Sequence, residues 1–432
     1  MGPKEIETMA QRIRRLRREK GLTQGQLGHP ELSEPFISMI EAGKRHPSHQ
    51  ALQHIATRLG VDVEHLISGR PVGLEVDLEL ALQEGRRDVD NGMIDKALET
   101  VSRVVTTARR EGFPRTQARG HELRGLIAER VETPSAALEH YRSALALWET
   151  EPMHLRAESV SGLARCIRQL ETPQMALHTL SGFRQELESS GAADPGALMR
   201  TLTAMIYPFF AASLPEKAAE AAREALTLEA RVDDPEKLAC MHMAVARSLS
   251  QEGHFADALH SLRRAEEIYL AGGWQSRVAK AQINEAIVLA KKEDYEGAEG
   301  KLLAALETLD GSPNRLDEAL ALNELAYVSR HMGQIASALG YLERARPLLE
   351  EGDIIEQAFN ERELGICLTK TDPDEAERHP TRAIDLYRIE GAAQELASTF
   401  NALADVYVKT GDTARAMQAL RDGIAAVEER RT

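Results

Sequence analysis

Two groups of side chains in this 432-residue sequence are of types that bind charged or hydrogen-bonding partners. The first is a basic run, Arg12, Arg14, Arg15, Arg17, Arg18 and Lys20. Such a run is usually a solvated helix face, and it is also what meets a phosphate backbone. The second is a sparse set of asparagines. Asn91, Asn284, Asn314, Asn323, Asn360 and Asn401 are all the chain has, and Asn284, Asn323, Asn360 and Asn401 fall inside helical patterns, where asparagine is a poor helix former. An asparagine amide donates and accepts together, which suits the alternating N–H and C=O groups of an extended peptide. Asn323 and Asn401 share one register, two residues ahead of Leu325-Ala326 and Leu403-Ala404; Asn284 is one position off and Asn360 two, with Arg362 in the matching place. Tyr327 and Asp405 lie one turn on, and Arg330 a further step. The plain alternative is that these polar groups only solvate a groove. Arg165, Arg168 and Arg247 occupy the corresponding face earlier in the chain, where they receive either a ligand carboxylate or a neighbouring glutamate. His242, in the same region, reads as a packing residue.

No catalytic constellation accompanies them. There is no His-Glu-x-x-His, and Gly297-Ala298-Glu299-Gly300-Lys301-Leu302 lacks the spacing, the Ser/Thr and the preceding strand of a phosphate loop. His46 and His49 are three apart with no Cys or Asp converging on them, so no metal site is expected. The reading is a non-enzyme without cofactor.

What positions these residues is a ladder of alanines. Ala97, Ala137, Ala176, Ala218, Ala258, Ala298, Ala338, Ala376 and Ala416 are 40, 39, 42, 40, 40, 40, 38 and 40 residues apart. Six are followed seven residues on by Ala144, Ala225, Ala265, Ala305, Ala345 and Ala383. Seven residues is two helical turns, so both alanines share a face that a neighbouring helix can approach closely. Turn signals such as Gly253-His254, Met332-Gly333 and Thr410-Gly411 precede ladder positions. The pattern predicts nine helix pairs, none able to bury its apolar face alone.

Charge is unevenly spread. Residues 1–70 carry 11 Lys/Arg against 8 Asp/Glu, and the remainder 42 against 60. An acidic body repels nucleic acid, so DNA contact is expected only from the first 70 residues. Aromatics at 4% point to a core of Ala and Leu. No apolar run suggests a signal peptide or membrane span, and Cys166, Cys240 and Cys367 read as reduced, packed thiols, so a cytoplasmic protein is expected.

The N-terminal pattern predicts five short helices: 5–20, Gln24 to Gly28 capped by Thr23, Glu34 to Glu41 capped by Ser33 with Pro35 in the first turn, Ser48 to Leu59, and Val63 to Ile67. Ile13-Arg14-Arg15-Leu16-Arg17, Lys20-Gly21-Leu22-Thr23-Gln24, Leu27, Leu32-Ser33, Ile37-Ser38, Ile40-Glu41, Gly43-Lys44-Arg45, Pro47-Ser48 and Leu59-Gly60-Val61 resemble the helix-turn-helix of the Xre/phage-repressor family. The resemblance implies that the third helix enters the major groove and that Glu34, Pro35, Phe36 and Ser38, behind the capping Ser33, meet base edges. Glu34 departs from the basic or amide side chains the family commonly places there; it accepts from a cytosine amino group or merely suits the helix dipole. Phe36 is expected to touch a thymine methyl. Gln24, Lys44, Arg45, Ser48, Arg15 and Arg18 are expected on phosphates.

The helix pairs resemble tetratricopeptide repeats, slightly longer than the usual ~34 residues. Leu163-Ala164, Val245-Ala246, Leu325-Ala326, Leu364-Gly365 and Leu403-Ala404 carry the first-helix signature. By that resemblance the solenoid is right-handed, first helices line its concave surface, and nine repeats make about one superhelical turn. The layout, a helix-turn-helix over 1–68, a linker at 69–73 and repeats over 74–432, resembles the RRNPP peptide-sensing regulators. It implies a transcriptional regulator that binds operator DNA as a homodimer and a signalling peptide or small effector on the concave face. Arg247, Asn284, Asn323, Tyr327, Arg330, Asn360, Arg362, Asn401 and Asp405 are the expected effector contacts. The alternative is a constitutive protein-docking scaffold. The dimer contact is expected in the last repeat, around Ile424 and Val427, or near the linker.

Overall fold

The structure, a computed structural model, describes residues 7–69, 73–191, 194–350, 353–390 and 392–428. Every element among them is helical, so the chain is all-α. Two compact units emerge: one runs to Gln83 and takes in Arg103–Gln117, the other is Glu84–Ser102 with Ala118 onward. Of the expected linker, Arg70, Pro71 and Val72 lie outside the described residues.

The first unit opens with α1 (Met9–Glu19), α2 (Gln24–Gly28), α3 (Glu34–Glu41), α4 (His49–Leu59) and α5 (Val63–Ser68). The first helix starts later than its apolar spacing suggested because Thr8 caps it: its hydroxyl accepts from the Gln11 N–H while the Gln11 side chain accepts from the Thr8 N–H. Thr23 and Gln26 build the same box on α2. Ser33 occupies the cap position of α3 but its hydroxyl makes no capping bond, contrary to expectation. Ile13, Leu27, Ile37, Ile40, Leu52, Ile55, Leu59 and Leu66 fill the centre of this cluster.

Nine helix pairs follow among the described residues: α6 and α7 (Leu74–Asp90, Ile94–Glu111), α8 and α9 (Pro114–Val131, Pro134–Leu147), α10 and α11 (Ala157–Leu170, Pro173–Ser189), α12 and α13 (Pro195–Ala211, Pro215–Thr227), α14 and α15 (Phe255–Ala271 being the second, Pro235–Gln251 the first), α16 and α17 (Gln275–Lys291, Tyr295–Leu309), α18 and α19 (Arg315–His331, Ile335–Ala345), α20 and α21 (Ile354–Leu368, Pro373–Glu390), and α22 and α23 (Ala393–Thr410, Thr413–Glu428). The nine ladder alanines are 0–3% exposed and the six that follow at seven residues are all 0% exposed, so the small side chains do sit where helices meet. Tyr141 shows how close that approach is: a Cβ on Gly125 or Gly162 would fall within 3 Å of its ring. First helices touch the next first helix directly, α10 with α12, α12 with α14, α16 with α18, α18 with α20 and α20 with α22. That contact puts the first helices on the inner side of the curving wall.

The second unit also touches itself far along the chain. Asp90, at the end of α6, accepts from Arg277 Nε at 2.9 Å and lies 3.3 Å from Arg130 Nη2. Arg277 bonds Glu236 at 2.9 Å, and Arg86 reaches the same Glu236 at 3.2 Å. Gly92 runs so close to the Asn314 backbone that a Cβ would stand 3.2 Å from it. The turn of the first pair therefore rests on the starts of α14, α16 and α18.

Candidate functional site

In the first unit, sequence neighbours are put to opposite uses. Arg12 is buried and donates to the carbonyls of Leu66, Ile67 and Glu7, tying α1 to the end of α5. Arg17 grips Glu41 with two bonds of 2.6 and 2.9 Å and also donates to the Leu22 carbonyl. Gln24 completes this hub, its amide donating to Glu41 at 3.0 Å. Burial works against the Glu41 charge, yet the bonds from Arg17 and Gln24 hold its carboxyl below the ordinary range. The Gln24 side chain, expected on a phosphate, is thus committed inside the protein. Arg15 holds Glu7 and Glu19 at 2.8 and 2.9 Å, with its guanidinium still half exposed. Arg14, Arg18, Lys44 and Arg45 are exposed and have no acidic partner within ion-pair distance among the described residues. Arg45 lies over the Phe36 ring, 4.9 Å from its centroid. Phe36 is half-buried against the core, whereas Ser33, Glu34, Pro35 and Ser38 are exposed around the start of α3. The Glu34 carboxylate leans toward Gly25 of α2. Ser48 is exposed and its hydroxyl caps α4 by accepting from the Ala51 N–H.

On the repeat wall the asparagines differ in burial and in partner. Asn323 and Asn360, expected on the ligand-facing surface, lie inside the wall at 0% and 2% exposure. Asn360 donates to the Asn323 side-chain oxygen at 2.8 Å and to the Leu342 carbonyl at 3.0 Å, and Asn323 donates to the Glu356 carbonyl at 3.2 Å. They stitch α18 to α20. The physical reason is rotation: one residue is about 100° of helix, so the position beside the groove face points into the next repeat. Arg362, in that register, stacks on Phe359 and bonds Glu363. Asn401 shares it but is exposed, as is Asp405, because no further first helix among the described residues follows α22. Asn284 sits one residue on, half-buried, its amide donating to the Lys280 carbonyl. Arg330 is held by Glu363 at 2.8 Å, and Tyr327 packs on His331 with Arg330 over its ring. Arg165 is locked by Glu129 at 2.8 and 2.9 Å and by Tyr141, which removes it as a ligand group. Arg247 is exposed and Arg168 half-buried, and both lie against the Tyr207 ring. His242 is packed, its Nε2 3.2 Å from Glu229. Burial pushes the Cys166 thiol up to about 12 and Cys367 up to about 11, which makes both inert near neutrality.

Residues 8–66 match the family model described as a helix-turn-helix domain. Over 62 residues the chain is 36% identical to the HTH-type transcriptional regulator DdrOP3 of Deinococcus deserti, which is 14% of this chain and 48% of that one. Residues 8–66 form a helix-turn-helix domain. The chain spans about half the length of that relative. The repeat array shares its fold with a Rap protein complexed with competence and sporulation factor (TM-score 0.58, 13% identity, 82% of this chain and 99% of that one). It shares it equally with the apo form of the quorum sensor NprR from B. thuringiensis (TM-score 0.55, 16% identity, 82% and 99%). The nine pairs are thus a helical-repeat solenoid of the tetratricopeptide-like kind.

Sequence reasoning missed Glu41, the hub of the helix-turn-helix domain, because a carboxylate ending a helix carries no mark of burial. It also missed Tyr207, Lys291 and Glu324 on the wall. Tyr207 was findable: it stands 40 residues before Arg247, in the same register.

Proposed function

We propose that this chain is a DNA-binding transcriptional regulator whose repeat wall takes an extended peptide. The observation that carries the first half is the exposed start of α3, with Lys44 and Arg45 beside it uncommitted to any acid. Glu34, Pro35 and Ser38 read base edges, and Arg18, Lys44, Arg45 and Ser48 hold phosphates, with Arg15 exchanging its exposed glutamates for phosphate when DNA arrives. Phe36 reaches the groove only by its outer edge. The peptide half is supported by the fold likeness to proteins described as complexed with a factor or as quorum sensors, and by free cations inside an acidic wall.

A peptide that prefers one curvature of the wall shifts the spacing of two helix-turn-helix domains in a dimer, and so operator affinity. Met417, Leu420 and Ile424 form an exposed apolar stripe on α23 that no element among the described residues covers. We place the two-fold contact there, the same stripe meeting itself; the side chain of Val427 lies outside the described residues. The deciding experiment selects genomic fragments bound by the purified chain and compares Lys44→Glu with Arg45→Glu combined. Specific binding with a steep salt dependence, lost in the double variant, supports the assignment; selection unchanged by the substitutions removes α3 and its flank as the interface. Leu420→Glu with Ile424→Glu should yield monomers by light scattering.

A further inference from the structure

The inner wall sorts its cations by whether an acid already answers them. Arg165 faces Glu129, Arg200 faces Glu158 at 2.6 Å, Arg277 faces Asp90 and Glu236, and Arg330 faces Glu363. Arg168 on α10 and Arg247 on α14 have no carboxylate within ion-pair distance among the described residues. They approach one ring, that of Tyr207 on the intervening α12, with guanidinium carbons 4.4 and 5.3 Å from its centroid. Tyr207 is 45% exposed, and its hydroxyl has no hydrogen-bond partner among the described residues. Lys291 on α16 has no ion pair among the described residues and stands between Arg247 and Glu324; burial lowers its pKa, Glu324 raises it and the Arg247 charge lowers it further. A region with 60 acids to 42 bases had every opportunity to neutralise these groups. Like charges held around one ring repel each other, and an incoming anion relieves that repulsion while gaining charge-assisted bonds.

The wall has an opposite pole. Glu324 on α18 is half-buried and takes no hydrogen bond or ion pair among the described residues. Burial first, and then the neighbouring charges of Glu356 and Glu363, push its carboxyl up to about 8, with Arg362 and Lys291 only partly opposing them. An incoming ammonium or guanidinium would reverse that cost.

Resting on the peptide reading above, we infer that Arg168, Tyr207 and Arg247 form an anion subsite for the peptide's terminal carboxylate, and that the peptide runs along the wall until its amino or basic end meets Glu324. Tyr207 and Glu324 stand on α12 and α18, three pairs apart. Contacting helices are about 8–10 Å apart, so the path is roughly 25–30 Å. An extended chain of about eight residues covers it. The ligand class is therefore a short peptide with a free C-terminus and a positive charge near its start.

The test uses the full-length protein and an equimolar random octapeptide pool, prepared once as free acids and once with amidated C-termini. Retained peptides are separated by size exclusion and identified by mass spectrometry. Free acids should be retained at least about tenfold better than amides, the effect of one charge-assisted hydrogen bond. Arg168→Ala with Arg247→Ala should erase that difference, while removal of two exposed cations elsewhere, Arg264→Ala with Arg344→Ala, should leave it intact. Glu324→Gln should erase the preference for Lys, Arg or a free amine at the far end. Thermal melting verifies that each variant is folded. Equal retention of both pools, or of amidated peptides rich in Asp and Glu, overturns the terminal-carboxylate subsite and leaves the peptide reading standing. Retention of nothing from either pool overturns both.

Discussion

Arg17 and Arg18 in the helix-turn-helix domain make the same contrast as Arg165 and Arg168 in the repeat wall. One of each pair is locked onto a glutamate, Glu41 or Glu129, while the other has no acidic partner. Between Arg17 and Arg18 a single residue, about 100° of rotation, decides the matter; Arg165 and Arg168, three apart, lie near one face, and there the carboxylate of Glu129 decides it. The surroundings then differ. The domain leaves Arg14, Arg18, Lys44 and Arg45 together on exposed surface, an arrangement suited to a polyanion of fixed geometry. The wall leaves its free cations among acids, where a long polyanion is repelled and a single carboxylate is not. Regional net charge alone gives no sign of these free cations on the wall.

The largest effect that sharpens this contrast should come from Arg17→Met. It strands Glu41 in the interior and should cost about 3–5 kcal/mol, read as a lower thermal midpoint of the helix-turn-helix transition. Arg18→Met should stay within about 0.5 kcal/mol, and equal losses from the two would dissolve the distinction. Ala258→Leu, at a ladder position with 0% exposure, should cost about 1–3 kcal/mol in the wall by overpacking. Asn360→Ala should cost about 1–2 kcal/mol through its two lost bonds yet leave peptide retention unchanged; altered retention would return this asparagine to the ligand surface.

The smallest effect concerns pH. Glu122, buried first of all and next to Glu158, is pushed up to about 7, and Glu324 to about 8, both above an unfolded carboxyl near ~4.3. The folded wall therefore holds more protons between roughly pH 5 and 8, and its stability should fall as pH rises through that window. Glu324→Gln should flatten the decline by an amount on the order of 1 kcal/mol after solvent screening. Melting curves at pH 5 and pH 8 for both proteins measure it; a slope unaltered by the substitution would remove Glu324 as a source.

The helix pairs were legible because Ala258 and its equivalents recur at a period that only stacked helices satisfy. The domain was legible through its turn residues, although Thr8 and Gln11 show that a capping box can override apolar spacing in setting a helix start. The groove was harder. Asn323 and Asn284 differ by one residue relative to their repeats, and that difference separates an inter-repeat bond from a half-buried position bonded within its own helix. A single sequence gives the register to within a residue, and a residue is what matters. Partnering was less legible still: whether Arg165 or Arg168 is free depends on Glu129 and Tyr141, which come from the preceding pair.

The contact between Asp90 and Arg277 joins residues 187 apart in sequence. A plain repeat array behaves as a row in which each unit knows only its neighbours, so that it frays from its ends and can begin folding anywhere. Here the row carries a long-range tie, and the turn between α6 and α7 cannot loosen without disturbing the starts of α14, α16 and α18. Spanning 187 residues, the tie is a contact of high order, expected to close late in folding. Amides near Asp90 should then exchange with solvent in concert with those at Arg277 and Asn314, as one cooperative unit assembled from opposite ends of the count.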